Sequence, residues 1–291
     1  MSGPLPASRE WPDLAVVVLA VGAPGELVEA VASVVGQRPR PEVMVVNSGG
    51  GDALARLTSH GLAVPVVASE ARLPTGAARN AGIAATRAPF IAFLAADNRA
   101  EKGWVAARLA AHRAGAPAVA SAMVNPFPRN LPARAAHLSL HVRRWPTVPP
   151  ALALPYGASY SRELLARHRG FRAEMARGED SELLGRLAPE ERPRWAPAVR
   201  TANLYPRTLA ALLGDHWRRG AHAAAAYAAL AGPGPAAIAR NAFGRLGASV
   251  ALAWRLTPVA ERVWLAASCA LLPVATLAYA AGALSARQRP Q

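Results

Sequence analysis

The chain has one cysteine in 291 residues, Cys269, and it lies inside an apolar run. A disulfide framework within one chain and a cysteine-built zinc site are therefore excluded, and a reducing cytosol is compatible with this usage. Aromatic residues are scarce at 6%, and neither zinc-finger spacing nor a compact basic helix is present. That argues against a reader of nucleic acid. Lysine is nearly missing as well: Lys102 is the single lysine among 33 basic residues, which face 18 acidic ones for a formal charge of +15. Such a balance suits phosphates or anionic lipid, although a base-composition bias toward arginine and alanine would produce part of it. The early apolar run over residues 14–21 is too short to span a bilayer. Glu10 and Asp13 precede it where a secretory signal would be basic, so it reads as a buried strand.

What is abundant is apolar surface, 52% of the residues, enough to build a large core. Residues 14–19, 43–46, 64–67, 90–94 and 118–120 are short apolar runs bounded by Gly, Pro, Asn or Ser, which predicts strands. Between them, residues 26–35 and 103–113 carry apolar positions at helical spacing. Apolar strands alternating with helices predict an α/β fold with a mostly parallel, Rossmann-like sheet covered on both faces. Ligands of such sheets bind beyond the carboxyl ends of the strands, which is where Asn47, Ser48 and Asp97 fall.

Residues 125–150 are rich in proline and arginine without a clear period and read as a long surface connection. His137 and His141 lie four apart there and lack a third ligand, so a surface pair is favoured over a metal site. Residues 206–230 read as a helix interrupted near Gly214, ahead of a Gly-Pro-Gly-Pro break at residues 232–235. Residues 263–284 carry no charge and are flanked by Arg262, Arg287 and Arg289, long enough to cross a bilayer. A core helix or an interfacial hairpin stays open for this tail, because Pro273 lies within it. The expected organisation is a disordered N-terminus over 1–12, a catalytic domain over 13–205, an arginine-rich helical region over 206–260 and a membrane-associated or transmembrane helix over 261–286.

Three features carry chemistry. Gly76-Ala77-Ala78-Arg79-Asn80-Ala81-Gly82 puts an arginine on a glycine-bounded helix, and the strand at residues 90–94 ends in Ala95-Ala96-Asp97-Asn98. About eighty residues later, Gly178-Glu179-Asp180 supplies two further acids. Asp97 is placed either as a metal-ligating carboxylate or as a turn aspartate or helix cap. Arg79 suits a diphosphate, or is a solvated helix arginine. Asp180 suits a general base, and the Gly-Glu-Asp sequence is also a good helix start, where acids are favoured. The glycines after Asn47-Ser48 lack dinucleotide-binding spacing.

These pieces occur in the order Ser33…Gln37, the run 41–46, Asn47-Ser48-Gly49-Gly50-Gly51-Asp52, Gly76 to Gly82, the strand with Asp97, Tyr156-Gly157-Ala158-Ser159, Gly178-Glu179-Asp180, and Trp217-Arg218-Arg219-Gly220. In that order the chain resembles an inverting glycosyltransferase of family 2, with the nucleotide-diphospho-sugar transferase fold followed by a helical, apolar C-terminal region. The resemblance implies a nucleotide-diphospho-sugar donor held by Ala20, Asn47, Ser48, Arg79 and Asp97. It further implies a divalent cation, Mn²⁺ or Mg²⁺, on Asp97, Asp180 as base and Glu179 beside it. A lipid-linked or envelope glycan acceptor, a membrane and the cytoplasmic face of that membrane complete the expectation. The chain departs from the family at three positions: Asn47 or Ser48 stands for a base-reading aspartate, Ala95 for the first acid of an Asp-x-Asp, and Asn203 for a histidine. The alternative is a catalytically degenerate binding or scaffold subunit on the same fold.

Overall fold

The computed structural model describes residues 12–229 and 232–285. The expected disordered N-terminus therefore falls, Pro12 apart, outside the described residues. Strand β1 (Leu14–Val21) leads through α1 (Leu27–Val35), β2 (Glu42–Ser48) and α2 (Ala53–Thr58) to β3 (Val66–Ser69). Then come α3 (Thr75–Ala84), β4 (Phe90–Ala95), β5 (Asn98–Ala100), α4 (Trp104–Arg113), β6 (Ala118–Val124) and α5 (Leu131–His141). Next are β7 (Ser159–Ser161), α6 (Arg162–Arg167), α7 (Glu179–Arg186) and β8 (Arg194–Asn203). Four helices close the described chain: α8 (Leu209–Ala229), α9 (Pro235–Leu256), α10 (Arg262–Cys269) and α11 (Leu272–Ser285).

The eight strands form one sheet in the order β3-β2-β1-β4-β7-β6-β8-β5. The pairs β3-β2, β2-β1 and β1-β4 are parallel, as is β6-β8, while β7 pairs antiparallel with both its neighbours and β5 antiparallel with β8. The expected α/β architecture is met, with the antiparallel strands gathered in the distal half. Because side chains alternate along a strand, β1 feeds both faces. Leu14, Val16 and Val18 join Leu27, Val31, Trp104 and Leu109 on one side, and Ala15 and Val17 join Ile91, Phe93, Phe171 and Leu183 on the other. A third core holds α5 against α8, α9, α10 and α11 through Leu138, Leu212, Ala253, Leu265 and Leu272.

Three expectations are corrected here. The 125–150 stretch contains a helix, α5, capped by the Asn130 side chain, which accepts from Ala133 N, with Pro132 in its first turn, where a missing N–H leaves nothing unpaired. His137 and His141 are not a surface pair: their Nδ1 atoms lie 2.8 and 2.7 Å from the Tyr205 hydroxyl, and His137 is stacked on Trp145. Finally, α8 runs unbroken through Gly214, since one mid-helix glycine costs only about 1 kcal/mol relative to alanine.

The C-terminal tail also differs in form from a single span. Pro273 starts a new helix instead of lying within one, dividing α10 from α11. Among the described residues no single helix is long and apolar enough to cross a membrane. Only Val259–Cys269 and Leu272–Ser285 taken together reach that length, across a bend of 44°. Glycines set how α11 meets α8: a Cβ at Gly220 would stand 1.9 Å from Tyr279 O, and one at Gly282 2.0 Å from Trp217 O.

Buried histidines give the fold a pH signature, since His141 and His216, like His112 and His137, are lowered by burial. Burial, with Arg108 adding to it, lowers His112 to about 4, and burial, with Arg134 and Arg144, lowers His137 to about 3. Both folded values lie below the ordinary 6.5, so the unfolded chain binds more protons in that window, and stability present above pH 6.5 is lost as pH falls toward 4. The unfolding free energy is expected to hold between pH 8 and 7 and to fall below about pH 6.5, by up to about 1.4 kcal/mol per pH unit per histidine, and the melting temperature to drop with it. A melting temperature unchanged from pH 7 to 5 contradicts neutral burial.

Candidate active site

The site lies at the carboxyl ends of the central strands. Ala20 and Asn47 are register partners on β1 and β2, as are Val21 and Ser48. Asn47 is 1% exposed; its Oδ1 accepts from Ala23 N at 2.9 Å and its Nδ2 donates to Gly50 O and Gly51 O at 2.9 and 3.1 Å. The amide is thus occupied in pinning a glycine loop from beneath, and both its donor hydrogens are used. Ser48 is buried beside it. Gly49, Gly50 and Gly51 have φ of 78°, 77° and 76°, and a Cβ at Gly51 would stand 2.8 Å from Gly22 O, so only glycine fits there.

Helix α3 is pressed into the domain by its glycines. A Cβ at Gly76 would meet Arg172 O at 1.9 Å, and one at Gly82 would meet Val17 Cγ1 at 2.3 Å. The smallness of Gly76 therefore serves contact with the chain itself. Asn80 adds a two-point clamp, accepting from Phe171 N at 3.0 Å and donating to Phe171 O at 2.7 Å. Together these contacts aim Arg79 between the rings of Phe93 and Phe171, each centroid 4.8 Å from its guanidinium carbon. The guanidinium grips both acids of α7, Glu179 at 3.0 Å and Asp180 at 2.7 Å.

Arg79 is 12% exposed, and so is not the solvated helix arginine that remained open from sequence. Burial opposes its charge, yet Asp180 and Glu179 outweigh it, and the guanidinium is held above its ordinary range. Glu179 is pushed above the usual carboxylate range by burial and by neighbouring Asp180, with Arg79 opposing. Gly178, at φ 80°, is the N-cap of α7, so Glu179 and Asp180 occupy its first turn. The helix start and the paired acids are one feature.

Asp97 follows β4 and is open to solvent while surrounded by protein, the situation of a side chain at the floor of a hollow. That surrounding raises its carboxyl above the usual range, with Arg219 and a hydrogen bond from Asn203 opposing. Asn203 also donates to Asn98 Oδ1 at 2.7 Å across β5 and β8. Ala95 is exposed beside Asp97. No group of three His, Cys, Asp or Glu side chains gathers for a metal among the described residues. One carboxylate in this position fits a cation whose remaining ligands are phosphate and water, and does not fit an all-protein cage.

Residues to which the sequence assigned no role in the site surround it. Arg144 is buried, donating to Ser121 O at 3.2 Å and Ser121 Oγ at 3.1 Å, and burial lowers it to about 10. It lies within electrostatic reach of both Asp180 and Tyr205, and Tyr205 in turn of Asp97 and Arg219. That chain of neighbours joins the α7 acids to Asp97. Tyr156 Oη lies 3.1 Å from Ser181 Oγ. On the outer side, Arg72, Arg177, Arg218, Arg219 and His222 share one field, and His222 is lowered by burial and by these arginines. Arg219 is itself paired to Asp215 at 2.6 Å. Arg218 and Arg219 belong to the Trp217-Arg218-Arg219-Gly220 motif, but nothing in the sequence separates Arg72 and Arg177 from the many arginines that are solvated; α8 had to be docked before the four converged.

Paired acids, an open carboxylate on Asp97 and a group of arginines thus gather at the strand ends of an α/β sheet. The Glycosyl transferase family 2 model matches residues 15–167, and the chain belongs to this family and is a glycosyltransferase. Among solved structures, the chain resembles the mannosyltransferase PcManGT from Pyrobaculum calidifontis, in complex with GDP-Man and Mn²⁺. The TM-score is 0.59 at 19% identity, covering 97% of this chain and 89% of that one. It also resembles S. aureus TarS 1-349 in complex with UDP-GlcNAc, with a TM-score of 0.50 at 14% identity over 70% of this chain and 65% of that one. At these identities the likeness shows the fold. No curated protein sequence matches the chain.

Arg79→Met leaves Glu179 and Asp180 side by side without their cation. The expected cost is about 3 kcal/mol of unfolding free energy, read by urea denaturation. Arg79→Lys is expected to recover little, because one ammonium cannot span two carboxylates as a planar fork does. A loss under about 1 kcal/mol for Arg79→Met, typical of a solvent-screened pair, contradicts the assignment.

Proposed function

We propose that the protein transfers a sugar from a nucleoside-diphosphate donor to an acceptor hydroxyl by a single inverting displacement, assisted by a divalent cation. The observation that carries this reading is the pairing of Arg79 with both Glu179 and Asp180, joined to Asp97 through the neighbours Arg144 and Tyr205. Inversion needs a base on the face of the sugar opposite the leaving diphosphate. Asp180 is the more open of the two acids, with 26% of its side chain exposed against 7% for Glu179. It takes the acceptor proton, and Glu179, more deeply buried, holds Arg79 and through it the orientation of Asp180. Arg72, Arg177, Arg218, Arg219 and His222 supply the positive field for the diphosphate, and Asp97 would hold the cation. A bound Mn²⁺ or Mg²⁺ supplies charge neutralisation at the departing diphosphate. The mannosyltransferase of the same fold, in complex with GDP-Man and Mn²⁺, supports this reading.

The acceptor is read as lipid-linked or envelope-borne, presented at the cytoplasmic face of the membrane. Trp254, Val259, Val263 and Trp264 are all exposed around the turn between α9 and α10, with Val259 at 75%. Arg255 and Arg262 flank them, Arg262 lying over the Trp254 ring. Apolar side chains ringed by arginine suit an anionic bilayer surface. Beneath that turn is a cavity of about 360 Å³, lined by Met123, Arg134, His137, Trp145 and Leu256 among others. Trp145 Nε1 and Arg134 Nε are both buried there without a partner.

Purified protein with Mn²⁺ and a panel of nucleotide sugars tests the chemistry. Asp180→Asn is expected to lower turnover by about 10²–10⁴-fold while leaving nucleotide affinity within a few fold; turnover unchanged in this variant removes the assigned base. A scaffold subunit on this fold would show no metal-dependent nucleotide binding in calorimetry. For the membrane, the intact chain is expected to float with anionic vesicles, and Val259→Glu with Val263→Glu to abolish flotation. Equal recovery of this variant with vesicles contradicts docking through the α9–α10 turn.

A further inference from the structure

The glycine loop after β2 is crossed by the segment that follows β3. Gly49 N donates to Ala71 O at 3.2 Å and Gly50 N to Ser69 O at 3.3 Å, while Ser69 Oγ donates to Ala71 O at 2.8 Å. This crossing fixes the two charged side chains of the segment at opposite ends. Arg72 lies on the side of Arg177 and His222, within their field. Glu70 lies over the loop: a Cβ at Gly50 would stand 3.4 Å from its Oε2. Glu70 is exposed, and no ion pair joins it among the described residues, in a chain with 33 basic residues.

Around that carboxylate lie Val21, the glycine loop and the stem of Arg72, whose Cβ would stand 3.6 Å from a Cβ at Gly49. Val21 is 47% exposed at the end of β1, and a Cβ at Gly49 would stand 3.3 Å from its Cγ1. Gly49, Gly50 and Gly51 present backbone without side chains, and Asn47 holds them from below. An apolar side chain beside naked backbone is a floor for a flat ring, and a free carboxylate stands next to it. The Asn47 amide has its donors bound to the loop, so the carboxylate beside this floor is that of Glu70, just after β3.

We infer that Glu70 reads the nucleobase of the donor and selects guanine. This rests on the transferase reading above and names its nucleotide. A carboxylate is an acceptor-only group with two oxygens, and it pairs best with two adjacent N–H donors. Guanine offers such an edge, N1–H beside the N2 amine. Uracil offers one N–H between two carbonyl oxygens that repel a carboxylate, and adenine and cytosine set their amine beside a bare ring nitrogen. Glu70 therefore accepts two hydrogen bonds from guanine and one at most from the others, and Arg72 lies toward the diphosphate of the same nucleotide.

Calorimetry of the full chain with Mn²⁺ and GDP, IDP, UDP or ADP tests this. Hydrogen bonds to a charged acceptor differ from their absence by about tenfold or more in affinity. GDP is expected to bind at least about tenfold more tightly than UDP or ADP, with IDP, which lacks the N2 amine, in between. Glu70→Gln should weaken GDP by about tenfold or more and leave UDP and ADP within about twofold, since an amide presents one acceptor and one clashing donor. Being exposed, Glu70 is replaceable without loss of the fold, and an unchanged melting temperature checks that. A wild-type preference for UDP or ADP, or GDP affinity unaffected by Glu70→Gln, overturns the inference and leaves the transferase reading standing. No binding of any of the four nucleotides overturns both.

Discussion

A single desolvated guanidinium organises this molecule's chemistry. Arg79 is held between Phe93 and Phe171 and bonded to two acids that are adjacent in the chain. Adjacent carboxylates repel, and one of them is pushed toward its protonated form by burial. Only a cation that is itself locked in place can keep both on the same side of a helix start. The locking is done by packing: Gly76 and Gly82 bring α3 against the 172–175 segment and β1, and Asn80 ties that segment down at Phe171. Remove the close approach and the arginine has no fixed position from which to hold the pair.

The helices after β8 reach the candidate site. Arg219 on α8 shares a field with Asp97, and α8 meets α11 at glycines where no side chain fits. Tyr205, between β8 and α8, lies against α5 through His137 and His141. A catalytic domain ending at residue 205 would therefore lack part of its basic rim. The same helices present exposed tryptophan and valine at the α9–α10 turn, so an exposed apolar surface and a cluster of arginines are built on one helical layer.

Much of the fold was legible because its strands are continuous apolar runs between strong punctuators. Residues 14–19, 43–46 and 90–94 lie within observed strands, and the third strand is displaced to Val66 because Pro65 has no N–H to give a ladder. The Ser33…Gln37 pattern proved to be a tie: Ser33 accepts from Ala100 N and Gln37 donates to Glu101 O, joining α1 to the segment after Asp97. Arg79, Glu179 and Asp180 were each legible through the order of their motifs, but Arg79 was expected against a diphosphate, and its pairing with both acids appears only in the fold. What stayed hidden has a common cause. Arg144 has neighbours in sequence that look solvated, and only tertiary packing separates a buried arginine from a surface one. Helix α5 carried its Asn130 cap and Pro132 in plain view, yet the surrounding prolines and arginines outweighed them. The paired histidines looked like surface residues because their shared partner, Tyr205, lies 64 and 68 residues away.

The most direct test of the central claim is a crystal structure of the protein with Mn²⁺ and a nucleoside diphosphate. The account predicts the diphosphate between Asp97 and the rim of Arg72, Arg177 and Arg219, with the ion on Asp97 and Asp180 still bonded to Arg79 on the opposite wall. A nucleotide seated in the cavity between α5 and the α9–α10 turn, or Arg79 swung away from both acids, would contradict it.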